Sequence, residues 1–425
     1  MASAPEDTTP RDIDSKITDE DIKRARKQIG IPQRRYVPTF NVTATSDAMR
    51  HFAFGLVGDD NPLWHDEAYG KTTRWRGQVA HPLFIQTMGI NECPAYPPEI
   101  KPLFRGLFRG IGKYLASTTW SFYKPIFPGE VAYEEYITSA IEVKKSSFSG
   151  GRSVIDSYRS LYVDQAGVPL ATRDLSLVNA ERGGSKEKGK YSSVSRHSYT
   201  PDDIARIDET YAAEQRRGAV PRFYEDVEVG EELTPVAKGP LTMVDLISRH
   251  IATGMADGYD IGPLRYGYKA RQKIAPFYTP DKWGVPQVQQ RVHWDDSRAQ
   301  DLGLPSGYDY AIMRFAWLSH ILTNWMGDDG WLSKFKVELR QFNFIGDFHV
   351  VSGKVTDKRV DDGQCVVEIT LEAANQRGDI TTRGTAEVLL PSREHGAVVL
   401  PEPPRELMAR GANMMAEAAA RSRQN

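Results

Sequence analysis

A chain of 425 residues is longer than one ordinary hydrophobic core and suits two domains with connections. Its 40% hydrophobic and 26% charged residues describe a globular protein, and a formal net charge of −2 argues against a general nucleic-acid or membrane surface. Two distant cysteines, Cys93 and Cys365, exclude a disulfide framework and a cysteine-rich zinc site. With no apolar signal core in Met1 to Lys16 and no apolar run long enough to cross a bilayer, the expected setting is the cytoplasm.

The first 16 residues, rich in Asp, Thr, Pro and Ser, read as disordered. Thr18-Asp19-Glu20-Asp21 then starts a helix with a capping residue and first-turn acids, and Gly30 ends it before Ile31-Pro32. An apolar helical run from His51 to Leu56 leads into Val57-Gly58-Asp59-Asp60-Asn61-Pro62-Leu63-Trp64-His65-Asp66-Glu67, where Asn-Pro breaks the pattern. Such a break leaves carboxylate, amide and imidazole groups at the end of a buried element. Pro125 to Glu130 opens an alternating run to Val143, followed by Ser153 to Tyr162, a turn at Gln165-Ala166-Gly167 and a strand to Val178.

A Lys, Gly and Ser-rich linker, Glu181 to Ser195, separates this unit from a second round of the same design. Thr200-Pro201-Asp202-Asp203 repeats the helix start, Tyr224 to Gly230 opens an extended entry, and Met243 to about Thr253 reads as a helix. Cys365 to Ala374, Gln376-Arg377-Gly378 and Thr382 to Leu390 repeat the strand hairpin. Each unit therefore reads as extended entry, helix, motif loop, second helical stretch and three strands. The second unit also carries an aromatic and basic insertion, which covers a pocket or holds phosphates, or else simply packs on the surface. Pro401 to Asn425 is an Ala-rich helical tail that packs on a partner or frays.

The first motif resembles the GDxNPxHxD signature of the MaoC-like hydratase and dehydratase family. Asp59 falls on its aspartate, Asn61 and Pro62 on its Asn-Pro pair and Asp66 on the following acid, while Trp64 stands at the histidine position and His65 one place late. Gln290-Arg291-Val292-His293-Trp294-Asp295 resembles the end of the same signature, with His293 on the histidine and Val288 where the aspartate belongs. The resemblance implies an α+β chain of two tandem hot-dog units, long helices wrapped by antiparallel sheet, paired as a pseudo-dimer. Its expected organisation is 1–35 as an N-terminal extension with a helix and 36–180 as the first unit. A linker with a helix, 181–223, follows, then 224–393 as the second unit with its inserted loop 258–290, and 394–425 as the tail.

The resemblance further implies reversible addition of water to a 2-enoyl thioester of CoA or a carrier protein, with no metal or redox cofactor. One carboxylate and one imidazole must hold the same water. His293 is the candidate imidazole, against a structural histidine; Asp59 is a candidate carboxylate, against a helix cap. Asp257 is the substitute if the second unit works alone, and His65 if the first motif shifts by one residue. In one reading Trp64 fills the old water site and makes the first unit a wall of the acyl pocket. His81 precedes Pro82, which has no N–H to offer an oxyanion, and this favours the second unit. Asn61, Trp64, His81, Tyr308, Asp309 and Arg314 are the candidate substrate contacts, with an Asp309–Arg314 pair as the alternative for the last two. The rival functions are a non-catalytic subunit that binds thioesters or supports a partner, and a thioesterase. A homodimer or a partner subunit, but no nucleic acid and no membrane span, completes the expectation.

Overall fold

The computed structural model describes residues 15–34, 39–108, 110–145, 152–181, 191, 193–253 and 264–423. Helix α1 (Asp19–Arg26) starts at the expected cap, with Thr18 accepting from the Asp21 N–H and the Asp21 carboxylate answering the Thr18 N–H. Thr45 caps α2 (Ser46–Phe52), which widens into a π-helical turn, Ala53–Val57, that Gly58 ends at a φ of 73°. The first-unit strands follow as β1 (Gly112–Phe122), β2 (Tyr133–Lys145), β3 (Arg152–Val163) and β4 (Pro169–Ala180). The Thr18 box recurs at Thr200 and Asp203, opening α3 (Pro201–Ala212).

The second unit begins with β5 (Val236–Lys238) and α4 (Met243–Ala252). Its insertion carries α5 (Leu264–Lys273) and a hairpin of β6 (Tyr278–Pro280) and β7 (Pro286–Val288). Then come α6 (Ala311–Met326), β8 (Trp331–Leu339), β9 (His349–Asp361), β10 (Gln364–Asn375) and β11 (Ile380–Leu389), with α7 (Arg405–Ser422) last.

Nine strands form one antiparallel sheet in the order β2-β3-β4-β1-β8-β11-β10-β9-β5. The units join at its centre, where Ser117–Ser121 of β1 run against Lys334–Glu338 of β8. Two tandem hot-dog units are therefore present, each with four main strands rather than three. The extra strand in each, β1 and β8, is the one that makes the seam.

The units differ in the layer that covers the sheet. Helix α6 lies on β8 to β11, with every residue from Met313 to Met326 buried, so Trp317 and Trp325 pack in the core. Among the described residues the first unit has no equivalent helix: a six-residue 3-10 turn, Pro82–Thr87, gives way to an irregular run past Gly89, Pro94, Pro97 and Pro98. Gly89 holds a φ of 111°, and a Cβ there would stand 2.8 Å from the Glu134 Cβ.

Three local features complete the fold. Asp328, in the turn after α6, is buried and accepts from the Asn61 amide (2.8 Å) and the Tyr69 hydroxyl (2.5 Å), tying the two units together. In the insertion Tyr266, Tyr268 and Trp283 point to solvent, while Arg291 pins the hairpin by donating to the Thr279 and Pro280 carbonyls. The tail helix α7 returns to the first unit, where Arg410 pairs with Glu135. Among the described residues no helix is long and apolar enough to cross a membrane.

Candidate active site

The first motif closes on itself. Asp59 is fully buried, with Oδ1 accepting from the Asn61 N–H (2.9 Å) and Oδ2 from the Thr323 hydroxyl (2.7 Å), and burial pushes its carboxyl up from the usual range. His65 donates from Nε2 to the Asp59 carbonyl (2.7 Å) and stacks on Phe54 at 3.8 Å. Asn61 caps the turn at the Leu63 N–H, which accounts for its side-chain oxygen. Trp64 is buried against Ala53, Leu63 and Val79, with the His81 ring edge-on at 5.6 Å. His81 is buried as well, and desolvation holds its imidazole near a pKa of about 3.

A buried cation completes this cluster. Lys238, brought in by β5, donates to the Val57 carbonyl and to His320 Nδ1, both at 2.7 Å. Burial lowers its ammonium to about 8 against the pull of Glu214 and Asp59, and burial together with Lys238 holds His320 well below the ordinary histidine value.

The second motif is open. His293 lines a cleft of about 620 Å³ between the units. Its Nδ1 lies 2.9 Å from the Tyr308 carbonyl, an acceptor only, so Nδ1 carries the proton and Nε2 the lone pair. The ring stacks on Tyr310 at 3.9 Å, and Tyr310 is held by the Arg249 guanidinium over its face (4.2 Å) and by His250 at its hydroxyl (3.1 Å). Desolvation, with Arg249 and His250 adding to it, lowers the His293 imidazole to about 4, while its bond to Tyr308 resists the shift; the ring is therefore a neutral base at pH 7.

Tyr308, Asp309 and Arg314 all line this cleft. Arg314 grips Asp309 with two bonds of 2.6 and 2.7 Å, and Asn343 donates to the same carboxylate, so the pair holds the segment that carries Tyr308 and Tyr310 rather than presenting a free acid. Ala311 and Ile312, the first turn of α6, reach the cleft too, where N–H groups have no acceptor within the helix. The opposite wall is the inner face of the first-unit sheet, with Leu115, Leu175 and Leu177, in the layer that α6 fills in the second unit.

The two halves of the signature do not meet. Asp59 bonds to Thr323 near the C-terminal end of α6, whereas His293 packs on Tyr308 and Tyr310 just before its start. From Ala311 to Thr323 the helix advances roughly 18 Å at about 1.5 Å per residue. Neither Asp59, His65, Asn61 nor Trp64 lines the cleft. Asp257 lies outside the described residues. The sequence reading passed over Arg249, although a legible signal marks it: Leu246 and Arg249 share the buried face of α4, and a charge on an apolar stripe needs a reason.

No family model and no curated protein sequence matches this chain. Solved structures do. One described as a MaoC-like dehydratase is similar with a TM-score of 0.57 and 17% identity, over 86% of this chain and 99% of its own. A putative MaoC domain protein dehydratase from Chloroflexus aurantiacus J-10-fl is similar with a TM-score of 0.51 and 11% identity, over 86% and 96%. The chain has the fold of these proteins, as the split signature implied.

Proposed function

We propose that this chain adds water to a 2-enoyl thioester, or removes it from the 3-hydroxyacyl thioester, on CoA or a carrier protein. The observation that carries the reading is His293, a neutral imidazole fixed through Nδ1 with its basic nitrogen left to a cleft large enough for an acyl group.

In this reading water attacks C3 while His293 Nε2 takes its proton. Negative charge moves to the thioester oxygen, where the first-turn N–H groups of α6 answer it. C2 then receives a proton from an acid, the role proposed for Asp257, and the proton on His293 restores that acid. Asp309 and Arg314 position the base by holding the Tyr308 carbonyl.

A second reading keeps one observation in its favour: no carboxylate among the described residues bonds to His293, since Arg314 holds Asp309. A chain that binds thioesters and supports a partner subunit fits that arrangement. Hydration of a panel of short, long and ring-bearing 2-enoyl-CoA thioesters, followed by loss of absorbance, separates the two. Turnover that His293→Ala abolishes supports the hydratase; binding without turnover of any member supports the second reading, and release of free thiol points to a thioesterase.

A further inference from the structure

The first-unit wall of the cleft carries polar groups that the protein leaves unanswered. Arg173, on β4, lines the cleft with its Nε–H shielded from solvent and without an acceptor. Its guanidinium rests over the Trp120 ring, 5.1 Å from the centroid, and forms no ion pair among the described residues. Gln86, at the end of the Pro82–Thr87 turn, lines the same cleft with both ends of its amide buried and unpartnered. The Glu134 carboxylate on this wall is engaged by the Ser160 hydroxyl at 2.7 Å.

A guanidinium and an amide left without partners beside Leu175 and Leu177 are costly unless a ligand completes them. The guanidinium fork matches a carboxylate with two parallel hydrogen bonds, and stacking on an aromatic ring orients it for that. The geometry points to an acyl group that itself carries a carboxylate, a monothioester of an unsaturated dicarboxylic acid, with that carboxylate on Arg173 and the Gln86 amide donating beside it. This deepens the hydratase reading and rests on it for the thioester. Arg173 is then the residue that sets acyl specificity. A hydrophobic slot for a plain alkyl chain needs neither group.

The phosphates of CoA share the same anionic oxygen chemistry, so the test uses pantetheine thioesters, which lack the nucleotide. Two 2-enoyl thioesters of equal length are compared, one ending in methyl and one in carboxylate, with wild type beside Arg173→Leu and Arg173→Lys. Wild type should favour the carboxylate by at least about tenfold in kcat/KM, Arg173→Leu should bring the ratio near one, and Arg173→Lys should fall between, since a point charge lacks the fork. A wild-type preference for the methyl ending, or a ratio that Arg173→Leu leaves intact, overturns the inference. So does a preference that appears with CoA and vanishes with pantetheine.

Calorimetric binding of the saturated analogues reads the same ratio without chemistry. Preferential binding without turnover sinks the hydratase reading and leaves the inference standing; turnover without preference does the reverse. If Arg173→Leu does not fold, Arg173→Lys and Gln86→Leu still have to lower the ratio.

Discussion

Two copies of one signature stand at opposite ends of the same helix in opposite surroundings. At the C-terminal end of α6, both oxygens of Asp59 are taken up by Asn61 and Thr323, beside the buried Lys238. At its start, His293 commits one nitrogen to a carbonyl and keeps the other for the cleft. A motif residue acts by what its partners leave uncommitted. Asp59 is placed to hold two units together, and His293 is left able to act as the base proposed for it. The cleft lies where, among the described residues, the first unit has no helix to match α6.

The largest expected effect separates these roles. His293→Ala should lower turnover of an accepted enoyl thioester by about two to four orders of magnitude while the melting temperature changes little, the scale of lost acid-base catalysis. With the imidazole at about 4, the acid limb of kcat/KM should fall near pH 4 rather than near 6.5. Activity that survives this substitution would place the chemistry elsewhere in the cleft.

Asp59→Ala should show the converse. It strands the Asn61 N–H, leaves the Thr323 hydroxyl only the His320 carbonyl (3.0 Å) as acceptor and removes the carboxylate near Lys238, at a cost of about 3 kcal/mol in unfolding free energy. Turnover per folded molecule should stay within a few-fold of wild type. A folded Asp59→Ala protein that has lost activity would mean that the two motifs cooperate after all.

Both ends share one further property, a store of neutral buried histidines. Burial holds His81 and His349 at about 3, His293 at about 4, and His320 well below the ordinary value. An unfolded histidine binds its proton at about 6.5, so below that pH the unfolded chain binds more protons and stability falls as pH falls. Each histidine contributes up to about 1.4 kcal/mol per pH unit below 6.5 until its folded value is reached. Asp59 and Glu214, raised by burial, take up protons in the folded state first and offset part of that slope. Urea midpoints should drop between pH 7 and pH 5, and a flat profile would show that these rings are not held neutral.

Much of this was legible in the sequence, and the gaps have physical causes. The capping boxes at Thr18 and Thr200 and the repeated hairpins marked a duplication, because local hydrogen bonding and turn geometry write themselves into neighbouring residues. Trp331 to Leu339 alternates with the strand period and was open to the same reading, while β1 is broken by a register shift between Leu115 and Ser117 that blurs its period. The prolines after His81 already spoke against a long helix there. The split signature named Asp59 and His293, but which one reaches open space depends on Lys238, Thr323 and Arg249 arriving from distant strands and helices. Arg173 and Gln86 stand out only once the structure shows what fails to pair with them.

The smallest expected effect tests the last way in which the first motif could be active. His65 stands one place after the signature position, and a shifted loop would make it a base. Its Nε2 already donates to the Asp59 carbonyl, so its one lone pair is on Nδ1, which is shielded from solvent and away from the cleft. The ring is half-buried on Phe54, itself 54% exposed, which makes its removal cheap. His65→Ala should therefore cost about 1 kcal/mol of stability, one hydrogen bond and a partly solvated stack, and leave kcat/KM unchanged. A large loss of turnover in a well-folded His65→Ala protein would restore the first motif as a site, and the contrast between the two ends of α6 would no longer hold.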